Sequence, residues 1–226
     1  MEKTVYALWK PDAALLSALP EKLSAAGATG VRINLRDEDV APADALTQSR
    51  GEAPPDAAVQ LWLPSANPIF RSEIDHCVSA RCARFAAWLV SESVIITNED
   101  HSPAPGERTY GFAQMAFLTR PDGLDWKDWR TIWRDSHTKV AIETQSNFEY
   151  VQNLVVEPLT DDAPPCVAIV EECFPPEAMT DPLAFFDAVG DQAKFDRNLA
   201  AMMESCDRFI ERGAIDVIPT SQYDFG

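Results

Sequence analysis

Apolar residues recur along the chain with two spacings, which together predict alternating strands and helices. Short apolar or alternating runs are typical of strands, and segments with an apolar residue every three or four positions are typical of amphipathic helices. Residues 37–56 are acidic and rich in alanine and proline, which indicates a surface loop. The predicted strands are Thr4–Trp9, Val31–Leu35, Ala57–Leu63, Ala87–Thr97, Tyr110–Leu118, Phe148–Val156, Val167–Phe174 and Ile215–Pro219, and the predicted helices are Ala13–Ala26, Pro68–Phe85, Trp126–Glu143, Asp181–Val189 and Ala193–Arg212.

The predicted order β-α-β-β-α-β occurs twice along the chain. Such a unit is the ferredoxin-like arrangement, in which two helices cover one face of a four-stranded antiparallel sheet. We therefore expect an α+β protein with one unit at residues 1–98, a linker at residues 99–107 and a second unit at residues 108–226. The uncovered faces of the two sheets would pack together into an α+β barrel, with a ligand cavity between them.

Charge narrows the range of partners. The formal net charge is −17, with 36 acidic residues against 19 basic ones. Nucleic acids and anionic membranes attract clustered lysine and arginine, so neither is an expected partner. The five cysteines form no C-x-x-C pair, which argues against a disulfide framework or a zinc site. No stretch approaches the roughly 20 apolar residues of a membrane span, and we expect a cytoplasmic protein.

Residues 123–140 carry the strongest chemical signal. On a helix that turns about 100° per residue, Trp126, Trp133 and His137 fall within about 40° of one another, with Trp129 close beside them. His137 thus lies at the end of an apolar stripe, where buried surface meets solvent. Two interpretations stay open: a hydrogen-bonded core histidine, which such stripes more often contain, and a proton-transfer group, which suits a side chain of near-neutral pKa.

The second half of the chain resembles the EthD family of dimeric α+β barrels over about residues 108–222. That family has an arginine at the end of its first strand, an aromatic-x-x-x-Trp-x-x-x-His helix and a Tyr-Val-Gln-Asn strand. The matching residues are Leu118-Thr119-Arg120-Pro121, Leu124, Trp129, Trp133, His137 and Tyr150-Val151-Gln152-Asn153, with a weaker match of Asp207 and Phe209 to a late helix motif. The first half lacks the Trp-x-x-x-His signature and resembles a diverged repeat that completes the barrel.

The resemblance implies a class of chemistry. The family and its neighbours include dehydratases and cyclases of aromatic polyketides, cofactor-free oxygenases, isomerases and proteins tied to the degradation of ethers and aromatic compounds. It therefore implies a small aromatic or otherwise apolar substrate, acid/base chemistry of the lyase, cyclase or isomerase type, no metal and no cofactor. The conserved histidine of the family corresponds to His137. Because family members form dimers, a homodimer of two-unit chains is expected.

Three residues are the candidates for catalysis. His137 would act as the general acid or base, and Tyr150 would hydrogen-bond a substrate oxygen. Asp135 points about 160° away from His137 on the helix, so we expect Asp207, from another helix, to pair with His137.

A further set of residues is expected to bind the substrate. Its members are Trp133, Arg120, Tyr110, Gln114 and Asn153. The alternation of a strand places Tyr150 and Gln152 on one face and Asn153 on the other, so Tyr150 and Asn153 share the cavity only if a bulge intervenes. Arg120 could hold a carboxylate or be a surface arginine at the end of a strand.

Two other functions stay open from the sequence. The chain could be a non-catalytic module that binds a ligand or a haem, with His137 as an axial ligand, or a structural subunit with a vestigial pocket. The pairs Asp161-Asp162 and Glu171-Glu172 are interpreted as loop and strand-edge residues rather than a glycosidase pair or metal site. Because strand residues alternate, Glu171 or Glu172 could nevertheless face the cavity.

Overall fold

A computed structural model describes residues 1–51 and 53–226. The strands of this part of the chain are β1 (Glu2–Pro11), β2 (Gly30–Leu35), β3 (Ala57–Leu63), β4 (Cys82–Ile96), β5 (Phe112–Leu118), β6 (Glu149–Pro158), β7 (Ala168–Phe174) and β8 (Asp216–Asp224). The helices are α1 (Leu15–Ala25), α2 (Pro68–Ser79), α3 (Trp126–Thr131), α4 (Thr138–Thr144), α5 (Pro182–Phe185) and α6 (Gln192–Asp207), with a π-helical turn at Ile132–His137 and 3-10 helices at Glu38–Leu46 and Pro176–Met179. Among these helices, none has the length and apolar character needed to cross a membrane.

The strands close into one eight-stranded antiparallel barrel. Strands β4-β1-β3-β2 form the sheet of the first half, and strands β8-β5-β7-β6 form that of the second, so the two halves share one topology. Pairing of β2 with β8 and of β4 with β6 joins the two sheets. The predicted α+β barrel fold is confirmed, and the barrel closes within a single chain. The boundaries of the two units stay a prediction.

The long strand β4 ties the two sheets together. Residues Cys82–Val90 pair with β1 of the first sheet, and residues Trp88–Ile96 pair with β6 of the second. The predicted helix Pro68–Phe85 is too long, because its last residues, from Cys82 onward, belong to β4. It ends at Ser79, where the chain turns, and Phe85 already belongs to β4, where its ring lies 5.7 Å from that of Tyr6.

Alternate side chains of each strand point into the barrel, and the others point outward under the helices. One end of the interior holds an apolar cluster of Val5, Ala7, Ala58, Ala86, Trp88, Val90, Met115, Phe117, Ile169 and Ile218. The space between the two sheets is therefore packed with side chains. The expectation of a ligand cavity between opposed sheets is wrong, because side chains from both sheets fill that space.

The other end of the interior holds a charged network that joins the two halves. Arg32 of β2 donates hydrogen bonds to Glu149 at 2.7 Å, to Glu171 at 3.1 Å and to Asp224 at 3.0 Å. Glu171 also accepts hydrogen bonds from Asn34 and other amide side chains. Although burial opposes ionisation, the pKa of Glu171 falls to about 2 because of Arg32 and these hydrogen bonds.

The predicted surface loop at residues 37–56 contains regular structure. Residues Glu38–Leu46 form a 3-10 helix in which Val40 and Ala43 are buried. They pack with Phe112 and Phe174 of the second half. The loop is thus part of the interface between the two halves, which its acidic composition does not reveal.

Candidate active site

A cavity of about 680 Å³ lies on the outer face of the second sheet, beneath the helices of the second half. Its walls are largely apolar, and the side chains that form them include Leu118, Trp133, Val170, Phe186, Met202 and Phe209. This is the size and character of a pocket for a small organic ligand. His137 and Trp133 line it, as expected of a ligand site, but the cavity lies between a sheet and its helices.

Three polar side chains form a row across the floor of this cavity. Glu172 on the central strand β7 is the register partner of Gln114 on β5 and of Tyr150 on β6. Directly opposed residues of an antiparallel pair have Cβ atoms about 5 Å apart. All three residues line the cavity. The sheet therefore presents an amide, a carboxyl group and a phenol in one line beneath an apolar roof.

Glu172 is the one acidic residue among the described residues that line the cavity, and its pKa is strongly shifted. Its residue is 8% exposed, and its only side-chain partner among the described residues is Asn147, whose Nδ2 donates at 2.9 Å. Burial penalises the carboxylate more than this one hydrogen bond stabilises it, so the pKa of Glu172 is raised to about 7. A carboxyl group with such a pKa exchanges protons readily near neutral pH.

Tyr150 is held by Gln152, which lies on the same side of the sheet and is itself bonded to Thr138 of α4. Gln152 donates from Nε2 to the Tyr150 hydroxyl at 2.8 Å and to Thr138 Oγ1 at 2.7 Å. Burial and the carboxyl group of Glu172 raise the pKa of Tyr150 well above its ordinary value. The phenol therefore stays protonated and can donate a hydrogen bond to a ligand oxygen.

His137 ends the π-helical turn at Ile132–His137, which interrupts the helix between α3 and α4. Such turns occur frequently at functional sites. Ser205 of α6 lies within hydrogen-bond distance, with 3.0 Å between its Oγ and His137 Nδ1, and the ring of Phe209 lies 4.6 Å away. Burial lowers the pKa of His137 to about 4, so the imidazole is neutral at physiological pH.

The aromatic stripe of this helix is buried at Trp129 and Trp133, as its spacing predicts. Trp129 also donates its indole N–H to the backbone carbonyl of Phe209 at 3.0 Å. Trp126, at the start of the helix, is 40% exposed and stacks on Trp129. The stripe thus forms the wall that carries His137, with its first residue at the surface.

The first half of the chain also contributes to the cavity. Pro42, Ala45 and Leu46 of the 3-10 helix line it, as does Gln48, whose backbone pairs with Val217 of β8. The apparent surface loop is therefore one wall of the cavity in the second half. The sequence does not indicate this contribution, because the contacting residues are far apart in the chain.

The structure does not bring four of the expected residues into the site. Asp207 is exposed and pairs with Arg212, so its expected pairing with His137 is wrong. Ser205 and Asp207 are two positions apart on α6 and therefore point to opposite sides of the helix, and Ser205 occupies the inward position. Arg120 is exposed and donates to the backbone carbonyl of Leu124. Of the two alternatives for Arg120, the structure therefore supports a surface arginine at the end of a strand.

Tyr110 and Asn153 also lie outside the cavity. Tyr110 precedes β5, is 43% exposed and stacks on His101 with ring centroids 4.4 Å apart. Asn153 is fully buried but points into the barrel, because residues on a strand alternate and Tyr150 points outward. No bulge intervenes between them in the pairing of β6 with β7. Gln114 lines the cavity from the outward face of β5.

Glu172, for which the sequence left a position facing the cavity open, and Ser205, which it did not indicate, both belong to the site. The signal for Glu172 was present, since Val170, Glu172 and Phe174 share the outward face of β7. A single acid between two apolar residues on one strand face indicates a carboxyl group in an apolar environment. Ser205 carries no such signal, because serine is common on any helix surface.

No group of three or more histidine, cysteine, aspartate or glutamate side chains that could hold a metal ion occurs in the described part of the chain. Outside this site, His101 stacks on Tyr110 and meets the ring of Phe148 edge to face.

Comparison with known proteins supports the fold. No family model matches this sequence, and no curated protein matches it. A solved structure described as an anthrone oxidase-like protein is similar over 100% of this chain and 92% of its own, with a TM-score of 0.56 and 12% identity. A candidate monooxygenase from Fusobacterium nucleatum is similar over 100% of this chain and 92% of its own, with a TM-score of 0.51 and 7% identity. The chain therefore shares the α+β-barrel architecture of these oxidase-like and monooxygenase-like proteins.

Proposed function

We propose that this protein is an enzyme that removes a proton from a small, apolar, aromatic substrate, with Glu172 as the general base. The observation that carries the proposal is a carboxyl group with a pKa of about 7 in the wall of an apolar cavity of about 680 Å³. A base whose pKa lies near the working pH combines a populated carboxylate with a strong affinity for the proton.

The neighbouring groups suit the anion that this step creates. When a carbon or phenol acid loses its proton, negative charge develops on the substrate oxygen, and fixed hydrogen-bond donors stabilise that charge. Tyr150 and Gln114 flank Glu172 in the row across the sheet and supply a phenol and an amide. The neutral imidazole of His137 supplies a further donor or acceptor, according to its tautomer.

The nature of the cavity wall sets the substrate class. The wall includes the aromatic rings of Trp133, Phe186 and Phe209 and three methionine side chains, and these bind flat apolar molecules without demanding one fixed shape. The name of one structure with this fold, an anthrone oxidase-like protein, fits a substrate whose acidic C–H lies in the same ring as a ketone. After proton removal, such a substrate can be reprotonated at another atom or react with oxygen.

The finer parts of the proposal come from the resemblance of residues 108–222 to the EthD family. They are membership of that family, a lyase, cyclase or isomerase activity without a metal, a role in aromatic compound degradation and a homodimer. The proposed cytoplasmic location comes instead from the cysteine pattern and from the sequence, in which no stretch approaches about 20 apolar residues. The small aromatic substrate is the partner that the cavity supports most directly. In this proposal the partner of His137 is Ser205 and not Asp207. Glu172, rather than His137, is the general base.

Anaerobic deuterium exchange tests the proton-removal step directly. Anthrone has an acidic methylene group in its central ring, opposite the ketone, and NMR in deuterated buffer measures the loss of its proton signal without any oxidation. We expect the protein to accelerate this exchange. We expect Glu172→Gln to slow it by at least about 100-fold, as the loss of a general base does, and Tyr150→Phe to slow it less.

Glu204→Gln is the matched control, because it makes the same change at an exposed position of α6. Exchange at the rate of the buffer alone would reject the enzyme proposal, and equal rates for Glu172→Gln and the wild type would reject Glu172 as the base. Saturable anthrone binding without exchange would favour the non-catalytic ligand module. A Soret band after addition of haemin, lost in His137→Ala, would favour the haem-binding module.

A further inference from the structure

A second groove lies on the solvent side of the helix that carries His137. It has a volume of about 560 Å³ and runs between α3 and the strands β4 and β6. The residues that line it are Ile95, Trp126, Lys127, Arg130, Thr131, Arg134, Asp135 and Gln152. None of these residues lines the apolar cavity described above.

The groove concentrates positive charge on an otherwise acidic protein. Lys127, Arg130 and Arg134 follow one another at spacings of three and four, which places their side chains along one side of the helix. Among the described residues, none of the three has an acidic partner within 4 Å, and Arg134 instead donates to Ser93 Oγ at 3.1 Å. The carboxylate of Asp135 lines the same groove without pairing with them.

This arrangement costs free energy unless something neutralises it. Like charges at these helix spacings repel one another, and cations near the first turn of a helix oppose its dipole. Most other arginines of this protein, which has a net charge of −17, pair with carboxylates. An anion in the groove would relieve the repulsion and form charge-assisted hydrogen bonds with the three cations.

Two further side chains indicate what else the ligand carries. Trp126 is 40% exposed at the groove, with its ring backed by Trp129 at 5.5 Å, so it offers a rigid surface for stacking. Gln152 is 2% exposed, and its Oε1 has no hydrogen-bond partner among the described residues. A hydroxyl group on the ligand would satisfy this buried acceptor.

We propose that this groove is a binding site for an oxyanion, either a phosphate or a carboxylate group, on a small ligand that also carries a hydroxyl. Lys127, Arg130 and Arg134 hold the anion, Gln152 Oε1 accepts from the hydroxyl, and Trp126 packs against the rest of the ligand. The groove shares no lining residue with the cavity, and Gln152 connects the two, because its Nε2 also donates to the Tyr150 hydroxyl.

Isothermal titration calorimetry at constant ionic strength tests the proposal with two probes. Hydrogen phosphate and 4-hydroxybenzoate both combine an oxyanion with a hydroxyl. The probe that binds more tightly shows whether the groove prefers a phosphate or a carboxylate group. We expect saturable binding of at least one probe. We expect the double variant Lys127→Gln/Arg130→Gln to bind it at least about tenfold more weakly, since each charged hydrogen bond contributes that much.

The matched control is Lys22→Gln/Arg197→Gln, which removes the same charge from exposed positions on α1 and α6. Unchanged affinity in this control would show that the groove, and not the net charge, binds the anion. Equal losses in the two double variants, or no saturable binding of either probe to the wild type, would overturn the proposal. Circular dichroism of each variant confirms that the comparison is made between folded proteins.

Discussion

Glu172 and Tyr150 are direct register partners on the neighbouring strands β7 and β6, and both side chains line the same apolar cavity. The next residue along β7, Glu171, points into the barrel and pairs with Arg32. Two consecutive glutamates therefore have opposite environments and opposite pKa shifts, about 2 for Glu171 and about 7 for Glu172. A slip of one residue in β7 would exchange their positions.

The raised pKa of Glu172 predicts a specific dependence of stability on pH. In the unfolded chain this carboxyl group ionises near its ordinary value of 4.5, whereas in the folded protein it stays neutral up to about pH 7. Its contribution to the free energy of unfolding is thus present below pH 4.5 and is lost as the pH rises towards 7 and above. The loss is on the order of 3 kcal/mol.

Glu172→Gln removes this titration. We expect the variant to gain stability over the wild type between pH 5 and pH 8, as measured by urea denaturation at each pH. Glu204→Gln, at an exposed position, should show no such trend. A difference between Glu172→Gln and wild type that stays constant with pH would contradict the raised pKa.

His137 should remain neutral over the physiological range. Burial lowers its pKa from 6.5 to about 4, so the unfolded chain binds a proton at a higher pH than the folded protein does. Its contribution to stability is therefore present above pH 6.5 and is lost as the pH falls towards 4. The chain has three histidines, which makes the imidazole signals resolvable by NMR. A titration midpoint for His137 near 6.5 would show that the ring is accessible to water.

Ser205, and not Asp207, should support His137. Ser205→Ala leaves Nδ1 of the partly buried His137 without its partner at 3.0 Å, and we expect a loss of about 1–3 kcal/mol in the free energy of unfolding. We also expect a change in the ¹⁵N chemical shifts that report the imidazole tautomer. Asp207→Asn breaks an exposed pair with Arg212 and should cost less than about 1 kcal/mol. The reverse order of effects would restore Asp207 as the partner.

Arg32 should be essential for joining the two halves. Arg32→Met leaves Glu149 and Glu171 buried without their cation, and we expect a loss of about 3–5 kcal/mol near neutral pH. The loss should shrink in acid, where the carboxylates take up protons. Arg36→Met, which breaks the more exposed pair with Asp44, is the control. Equal denaturation midpoints for the wild type and Arg32→Met would show that the network contributes little.

The sequence predicted the elements that have a clear local period. Strand alternation placed Tyr150 and Asn153 on opposite faces, and the structure shows this arrangement. Helical spacing predicted the buried Trp129 and Trp133. Both patterns record which side of an element is buried, and burial is what hydrophobic spacing measures. The same patterns did not locate the end of α2, because a short turn there leaves no change in apolar content.

The sequence by itself determined the repeated β-α-β-β-α-β order and the helix face that carries His137, because these depend on residues close together in the chain. Only the tertiary structure decided that the barrel interior is filled and that the cavity lies under the helices. It also decided that Ser205 approaches His137 and that Glu172 lies between Gln114 and Tyr150. Those relationships join residues up to 68 positions apart, and strand register and helix packing set them, which no local pattern encodes.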